Sequence, residues 1–316
     1  MNRRNILVLA SAAAAAGTTP LLAGCGGMGT VTPAIAANIV QLAQSTPSLS
    51  ILVEAVIAAD LAATLSGPGP FTVFAPNNDA FVALLGELGV TKEALLKDKP
   101  LLTAVLTYHV LGAKVEKSGV PLGKAITTLQ KGIFKIDAPA GVLTITDGRN
   151  RASKIIATDI QATNGVVHII DKVLLPANKN IVQTAQAIPT FSLLVEAVIA
   201  AGLAPTLSGP GPFTVFAPTD AAFAAALTEL GVTKAALFGN TALLAKILTY
   251  HVVSGQVLKA AIPATPIATV QGETFTISPS FVITDQRGRM ANITATDVLT
   301  SNGVVHVIDK VILPKA

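Results

Sequence analysis

Residues 51–76 read ILVEAVIAADLAATLSGPGPFTVFAP, and residues 193–218 read LLVEAVIAAGLAPTLSGPGPFTVFAP, with differences at 3 of 26 positions. A second block, NGVVHIIDKVLLP at 164–176, recurs as NGVVHVIDKVILP at 302–314. The two blocks keep their order and nearly keep their spacing in both halves of the chain. The sequence is therefore a tandem duplication, and the fold predicted for one unit applies to the other.

Each unit changes in character from its first half to its second. In the first unit, apolar residues recur at helical spacing through residues 49–65, and the segment SGPGP at 66–70 ends that pattern. A second apolar pattern predicts a helix from Thr91 to Val110, with Thr91 as its cap. From Ile126 onward, β-branched residues alternate with polar ones, which is typical of strands joined by hairpin turns. Helices followed by an antiparallel sheet predict the α+β class.

The length and composition fit two globular domains. The 316 residues are 51% hydrophobic and 13% charged, which excludes a disordered chain. We predict domains at residues 38–177 and 178–316, docked against each other because the linker at 177–179 is short. The formal charge of +4 is spread over scattered lysines and arginines, so we expect no nucleic-acid partner.

The N-terminus has the features of an export signal. Residues 1–24 carry two arginines at positions 3 and 4, continue with an apolar run at 6–16 that is too short to span a membrane, and end in small residues. Leu22-Ala23-Gly24-Cys25 resembles the bacterial lipobox, in which cleavage precedes a cysteine that then carries lipid such as palmitate. We predict a signal peptide at 1–24, lipid on Cys25 and a tether at 25–37. The alternative is an ordinary secretory signal followed by an incidental cysteine.

Neither the cysteine nor the histidines predict a reaction centre. Cys25 is the only cysteine, which excludes an intramolecular disulfide and a multi-cysteine zinc site. The four histidines form two repeat-equivalent pairs, His109 with His251 and His168 with His306, and this invites a metal or catalytic interpretation. The alternative is a core histidine that bonds backbone near a helix end, because His109 shares the apolar stripe of its helix. No Gly-x-Ser-x-Gly turn is present. We therefore predict no enzymatic activity, no metal and no cofactor.

Three blocks in each unit resemble the signatures of the fasciclin (FAS1) domain. In the first unit they are FTVFAP at 71–76, Tyr108-His109 and the block at 164–176, and the second unit repeats them in the same order. The resemblance implies, for each domain, a β-wedge of about seven strands with helices packed around it. It also implies a role in adhesion, since a Tyr-His pair and an Asp-Ile pair are linked to adhesion in animal fasciclin domains. The residues that flank the Asp-Ile pair differ here, so integrin binding is not carried over. The implied interaction candidates are Tyr108, His109, Asp159, Ile160, Tyr250, His251, Asp297 and Val298.

These features together predict a secreted, lipid-anchored surface protein that mediates cell adhesion or contact with envelope or matrix. Its partner would be a protein or polysaccharide, and lipid on Cys25 would hold it to the bacterial envelope. In a Gram-negative host Gly26 is compatible with the outer membrane. The rival hypothesis is a carrier of small apolar ligands, with a cleft lined by the alanine- and valine-rich helices. The sequence leaves the oligomeric state open.

Overall fold

The computed structural model describes residues 37–315 as two successive copies of one arrangement of helices and strands. Copy 1 runs from the first helix through Pro176, and copy 2 runs from Asn180 through Lys315. In copy 1 the helices are α1 (Ile39–Gln44), α2 (Ser50–Ala58), α3 (Ala62–Ser66), α4 (Asn78–Leu88), α5 (Lys92–Lys97) and α6 (Lys99–Tyr108). Its strands are β1 (Phe71–Pro76), β2 (Val110–Leu111), β3 (Ala125–Thr127), β4 (Ile133–Asp137), β5 (Thr144–Thr146), β6 (Ala152–Ala162) and β7 (Gly165–Ile170).

Copy 2 repeats these elements in the same order. Its helices are α7 (Ile181–Gln186), α8 (Ser192–Ala200), α9 (Ala204–Ser208), α10 (Asp220–Leu230), α11 (Lys234–Gly239) and α12 (Thr241–Tyr250). Its strands are β8 (Phe213–Pro218), β9 (Val252–Ser254), β10 (Ile267–Ala268), β11 (Thr274–Ile277), β12 (Val282–Thr284), β13 (Met290–Thr300) and β14 (Gly303–Ile308).

Each copy forms one seven-stranded, nearly closed sheet. The strand order is β2-β1-β7-β6-β5-β4-β3 in copy 1 and β9-β8-β14-β13-β12-β11-β10 in copy 2. The pair β1 and β7 is parallel, as is the pair β8 and β14, and the other pairings are antiparallel. The α+β class and the seven strands per unit predicted from the sequence are therefore confirmed.

The sheet separates two apolar cores in each copy, because successive residues of a strand point to opposite faces. On the helix side, Val73 of β1 packs with residues of α2 and α6. On the inner side, Phe74 meets the ring of Phe134 edge-on at 5.2 Å, and Phe134 meets Tyr108 at 6.0 Å. Copy 2 repeats this aromatic cluster with Phe216, Phe275 and Tyr250.

The helix predicted from Thr91 to Val110 is two helices, and the prediction of a single helix was wrong. The break lies at Asp98, whose carboxylate accepts the Leu101 N–H at 3.1 Å and so caps α6. Pro100 lies in the first turn of α6, where a residue without an N–H group is tolerated. In the interior of one continuous helix, the same proline would remove a backbone hydrogen bond. The apolar stripe continues through the break, which is why spacing alone did not reveal it.

Candidate functional site

The two candidate tyrosines are completely buried. The Tyr108 hydroxyl donates a hydrogen bond to the Ile133 carbonyl, and the Tyr250 hydroxyl donates to the Thr274 carbonyl at 2.9 Å. Burial raises the pKa of both phenols, so they stay protonated. Each tyrosine ties the end of a helix to a strand across the inner core, and neither ring reaches the surface of its copy.

The two candidate histidines beside them are buried as well and have both ring nitrogens bonded. Nδ1–H of His109 donates to the Val105 carbonyl at 2.7 Å, and Nε2 accepts the Leu174 N–H at 2.8 Å. His251 makes the same bonds with Ile247 at 2.8 Å and Ile312 at 3.1 Å. Burial lowers the pKa of both imidazoles to about 4, so they are neutral near pH 7. Each histidine joins a helix end to the extended segment that follows the last strand.

The candidate Asp159 lies in a bulge of strand β6, and its backbone has a φ of 60°. Its N–H donates to Nδ1 of His168 at 3.2 Å, while Nε2 of His168 donates to the Val115 carbonyl at 2.9 Å. Its Oδ1 accepts the Lys117 N–H at 2.7 Å. The neighbouring Ile160 is half-buried and packs against the helix-side core. We call residues 159–161 with Lys117 the Asp159 turn.

Copy 2 builds an equivalent turn around Asp297. The N–H of Asp297 donates to Nδ1 of His306 at 3.3 Å, and its Oδ1 accepts the Lys259 N–H at 2.7 Å. Burial lowers the pKa of His306. Val298, like its counterpart in copy 1, packs against the core of its own copy. The second pair of histidines therefore holds the aspartate turns in place, and the four histidines have two separate structural tasks.

The two aspartate turns differ in exposure because copy 1 covers the turn of copy 2. Nζ of Lys135 in β4 lies 2.8 Å from Oδ2 of Asp297, whose side chain is only 2% exposed. Asp159 is half-buried, and its Oδ2 has no hydrogen-bond donor among residues 37–315. Of the predicted interaction residues, the structure thus leaves only one charged group open to solvent.

The cavities bear on the rival hypothesis of an apolar carrier. Between residues 37 and 315, the apolar cavities beside the helices include three with volumes of about 30, 50 and 30 Å³, each with room for only a few water molecules. An open cleft of about 800 Å³ lies between the copies, and its lining combines polar residues such as Gln130 and Lys131 with apolar ones such as Ile133 and Pro212. Ligand pockets are usually 300–1,000 Å³ and mostly apolar. The apolar cavities are too small to hold a carried ligand, and the cleft between the copies is open to solvent rather than an enclosed pocket.

Between residues 37 and 315, no three His, Cys, Asp or Glu side chains stand close enough to share a metal ion. No helix in that part of the chain is long and apolar enough to cross a membrane. Cys25, the predicted site of lipid attachment, and the signal peptide lie outside the described residues.

A family model described as "Fasciclin domain" matches residues 47–176 and again residues 189–314. The chain belongs to the fasciclin domain family. Copies 1 and 2 are accordingly its fasciclin domains 1 and 2, as the sequence predicted. Members of the family are adhesion proteins and not enzymes, so the prediction of a non-enzyme is confirmed by the family.

Relatives come from both animals and bacteria. Transforming growth factor-beta-induced protein ig-h3 of Sus scrofa is 32% identical over 254 residues, which are 79% of this chain and 35% of that protein. Protein sll1483 of Synechocystis is 43% identical over 144 residues, 45% of this chain and 74% of that one. This chain therefore spans about a third of the animal protein. A solved FAS1 domain pair from the insect cell adhesion molecule Fasciclin I aligns with 84% of this chain and 97% of its own, with a TM-score of 0.40 and 18% identity.

Sequence reasoning missed a buried carboxylate in each fasciclin domain. Asp147, after β5, is 1% exposed and accepts backbone N–H groups of Arg149, Arg151 and Leu175, each at 2.9 Å. The Arg151 guanidinium adds bonds to the same carboxylate at 2.8 and 3.0 Å. The pattern T-D-x-R-x-R at 146–151 recurs at 284–289 and was the available signal. The carboxylate fixes the β5–β6 hairpin to the C-terminal end of its domain.

A second missed residue is Asn164, the first residue of the NGVVH block. Its amide group donates to the carbonyls of Leu65 and Gly67 at 2.8 and 2.9 Å, and its Oδ1 accepts the Ile39 N–H at 3.0 Å. One side chain thus joins the end of α3 to the start of α1. Asn302 repeats the arrangement in domain 2. The recurrence of this block in the sequence therefore has a structural cause.

Proposed function

We propose that this protein is an exported, lipid-anchored adhesion protein, which presents two fasciclin domains at the bacterial envelope to a protein or polysaccharide of envelope or matrix. The observation that carries the proposal is the order of features along the chain, a lipobox-like segment at 22–25 followed by tandem domains of an adhesion family. We place the signal peptide at 1–24, the tether at 25–37 and the domains at 38–177 and 178–316.

Because the Tyr-His pairs are buried, we infer that a partner contacts other residues, on the surface of the folded domains. Tyr108, His109, Tyr250 and His251 have their polar atoms bonded inside the protein. Their contribution to adhesion is therefore to hold helix ends and strands in register. Asp159 is half-buried, and its Oδ2 has no hydrogen-bond donor among residues 37–315, so it is the charged interaction candidate that a partner can reach without unfolding of domain 1.

Replacing Cys25 by serine should release the protein from membranes. Serine removes the thiol that would carry the acyl chains, and several chains are needed because one chain alone binds a bilayer only marginally. Membrane fractionation and mass spectrometry of the N-terminus measure the effect in the producing cell, with Ser11→Ala in the signal segment as a control that keeps the cysteine. An unmodified Cys25 in the wild-type protein would contradict the lipid anchor.

The tandem chain should retain its partner better than either domain alone. Two weak sites held in a fixed orientation gain avidity of about a hundredfold on a repetitive surface. The experiment compares retention of cells or matrix on beads that carry residues 38–177, 178–316 or 38–316 at equal domain density. Equal retention by single and tandem forms would reject the avidity, and no retention by any form would reject the adhesive role.

A further inference from the structure

The contact between the two fasciclin domains shows how an aspartate turn receives a partner. Lys135 of domain 1 reaches Asp297 of domain 2, and its side chain is 14% exposed. Although burial acts against its charge, the bonds to Asp297 and to Asp137 raise the pKa of Lys135 above its ordinary value. Asn150 adds a two-point contact with the edge of β13, in which its Oδ1 accepts the Leu299 N–H at 2.7 Å and its amide donates to the Leu299 carbonyl at 3.1 Å.

An apolar contact completes this docked surface. Ile133, two residues before Lys135 on β4, packs against Leu258, Leu299 and Val304 of domain 2. Leu258 and Leu299 are 1% and 2% exposed. Three side chains of domain 1 thus recognise the turn of domain 2. They are Lys135 and Ile133 on β4 and Asn150 in the hairpin between β5 and β6.

The equivalent surface on domain 1 has the same turn but different neighbours. The strand pairing and the duplicated blocks align Leu258 with Glu116, Asp297 with Asp159 and Leu299 with Gln161. Glu116 is exposed, and its carboxylate lies 3.1 Å from the Lys114 ammonium and 3.4 Å from the Gln161 amide. The surface is therefore polar and charged, with the carboxylates of Glu116 and Asp159 beside Lys114 and Lys117, whereas its counterpart on domain 2 is apolar and covered. A polar, solvated surface of this kind is typical of transient interfaces, because permanent interfaces are more apolar.

We propose that the Asp159 turn of domain 1 is a docking site for a lysine carried on an exposed strand or hairpin of a partner protein. The partner's ammonium would lie between Oδ2 of Asp159 and the Glu116 carboxylate, and a side-chain amide would bond the backbone of Gln161, as Asn150 bonds Leu299. No side chain among residues 37–315 bonds the backbone of Gln161. This proposal rests on the adhesive role proposed above, and it specifies the chemical groups that the partner must carry.

A second copy of this chain is a poorer occupant than a different protein. The groups that would have to dock, Lys135 and Asn150, already bond domain 2 of their own chain. At the corresponding positions of domain 2, the counterparts of Lys135 and Asn150 are Thr276 and Gly288. Their side chains have neither an ammonium nor an amide group. The corresponding surface of domain 2 therefore lacks the groups that the Asp159 turn would bind.

The test uses a peptide with the sequence of residues 125–137, AITTLQKGIFKID, as the probe. This peptide carries the lysine of β4 and is titrated into the ¹⁵N-labelled full chain, in which the Asp297 turn is already occupied. We expect saturable shifts of the amide signals of Asp159 and Gln161, with at least fivefold weaker binding when the peptide's Lys135 amine is acetylated. Salt should weaken the binding, since exposed charges are screened over about 8 Å at 0.15 M.

Two variants of the full chain make the result specific. Asp159→Asn keeps an oxygen to accept the Lys117 N–H and removes the charge, so we expect at least fivefold weaker peptide binding. Asp79→Asn changes the net charge equally at an exposed position of α4 and should leave binding unchanged. Unchanged binding by Asp159→Asn or by the acetylated peptide would overturn the proposal. Shifts confined to Leu299 would also overturn it, because they would place the peptide at the domain contact.

The bead experiment separates this proposal from the adhesive role. Peptide binding at Asp159 without retention of cells or matrix by any beads would support the docking site and reject the adhesive role. Retention by beads that is as strong with Asp159→Asn as with the wild-type chain would support adhesion and overturn the docking site.

Discussion

Acidification from pH 7 to pH 5 should lower the free energy of unfolding by about 2 kcal/mol for each fasciclin domain, through one buried histidine. His109 and His251 have a pKa of about 4 in the folded protein and an ordinary value of 6.5. The unfolded chain therefore binds protons at a higher pH than the folded chain. The contribution of each neutral histidine to the free energy of unfolding is fully present above about pH 6.5, and it is lost as the pH drops from there to about 4.

Urea unfolding followed by circular dichroism at the two pH values measures this loss, since the chain has no tryptophan. The matched control is His109→Gln, whose amide can donate and accept but does not titrate. This variant should be less stable at pH 7, and its pH-dependent loss should be smaller than that of the wild type by about 2 kcal/mol. If the variant and the wild type lose equal stability between pH 7 and pH 5, His109 does not cause the acid sensitivity.

Asp147→Ala should destabilise domain 1 by about 3–5 kcal/mol. The substitution removes the acceptor of three backbone N–H groups and one of the two carboxylates, Asp147 and Glu87, that bond the Arg151 guanidinium at 2.8 Å. Each buried N–H group that is left without an acceptor costs about 1–3 kcal/mol, and the ion pair that Arg151 keeps with Glu87 does not satisfy these groups. Urea unfolding of the full chain gives the difference.

Domain 2 supplies the matched variant. Asp285 keeps the equivalent three backbone bonds, but the guanidinium of Arg289 lies 3.9 Å away, beyond hydrogen-bond distance. Arg151 makes two charge-assisted hydrogen bonds to Asp147, and Arg289 makes none to Asp285. We therefore expect Asp285→Ala to destabilise domain 2 by about 1.5–3 kcal/mol less than Asp147→Ala destabilises domain 1. Equal losses would show that the guanidinium contributes nothing, and a loss below about 1 kcal/mol at Asp147 would contradict its structural role.

The sequence predicted those parts of the fold that depend on local pattern. The helices and alternating strands, the turn at 66–70 and the duplicated unit all follow from spacing and from glycine and proline positions. The break at Asp98 was not predicted, because a cap and a proline can interrupt a helix without disturbing its apolar stripe. The T-D-x-R-x-R pattern was also local, but its meaning depends on Leu175, which is far away in sequence.

The candidate site was less predictable because its properties arise between the domains. Asp159 and Asp297 occupy equivalent positions in nearly identical motifs, and the sequence treats them alike. Their difference comes from Lys135, which is 162 positions from Asp297 in the chain. Spacing within one unit carries no information about which of the two turns a lysine from the other domain will reach.

The contact between the domains also limits how the molecule can assemble. It is heterologous, joining one end of a unit to a different face of the next, and in identical repeats such contacts continue into open filaments unless something stops them. The corresponding positions of domain 2 are Thr276 and Gly288, which lack the ammonium and the side-chain amide that make the contact. We therefore expect that domain 2 does not dock in this way on the aspartate turn of a second copy of this chain, so the contact within one chain is not repeated between chains.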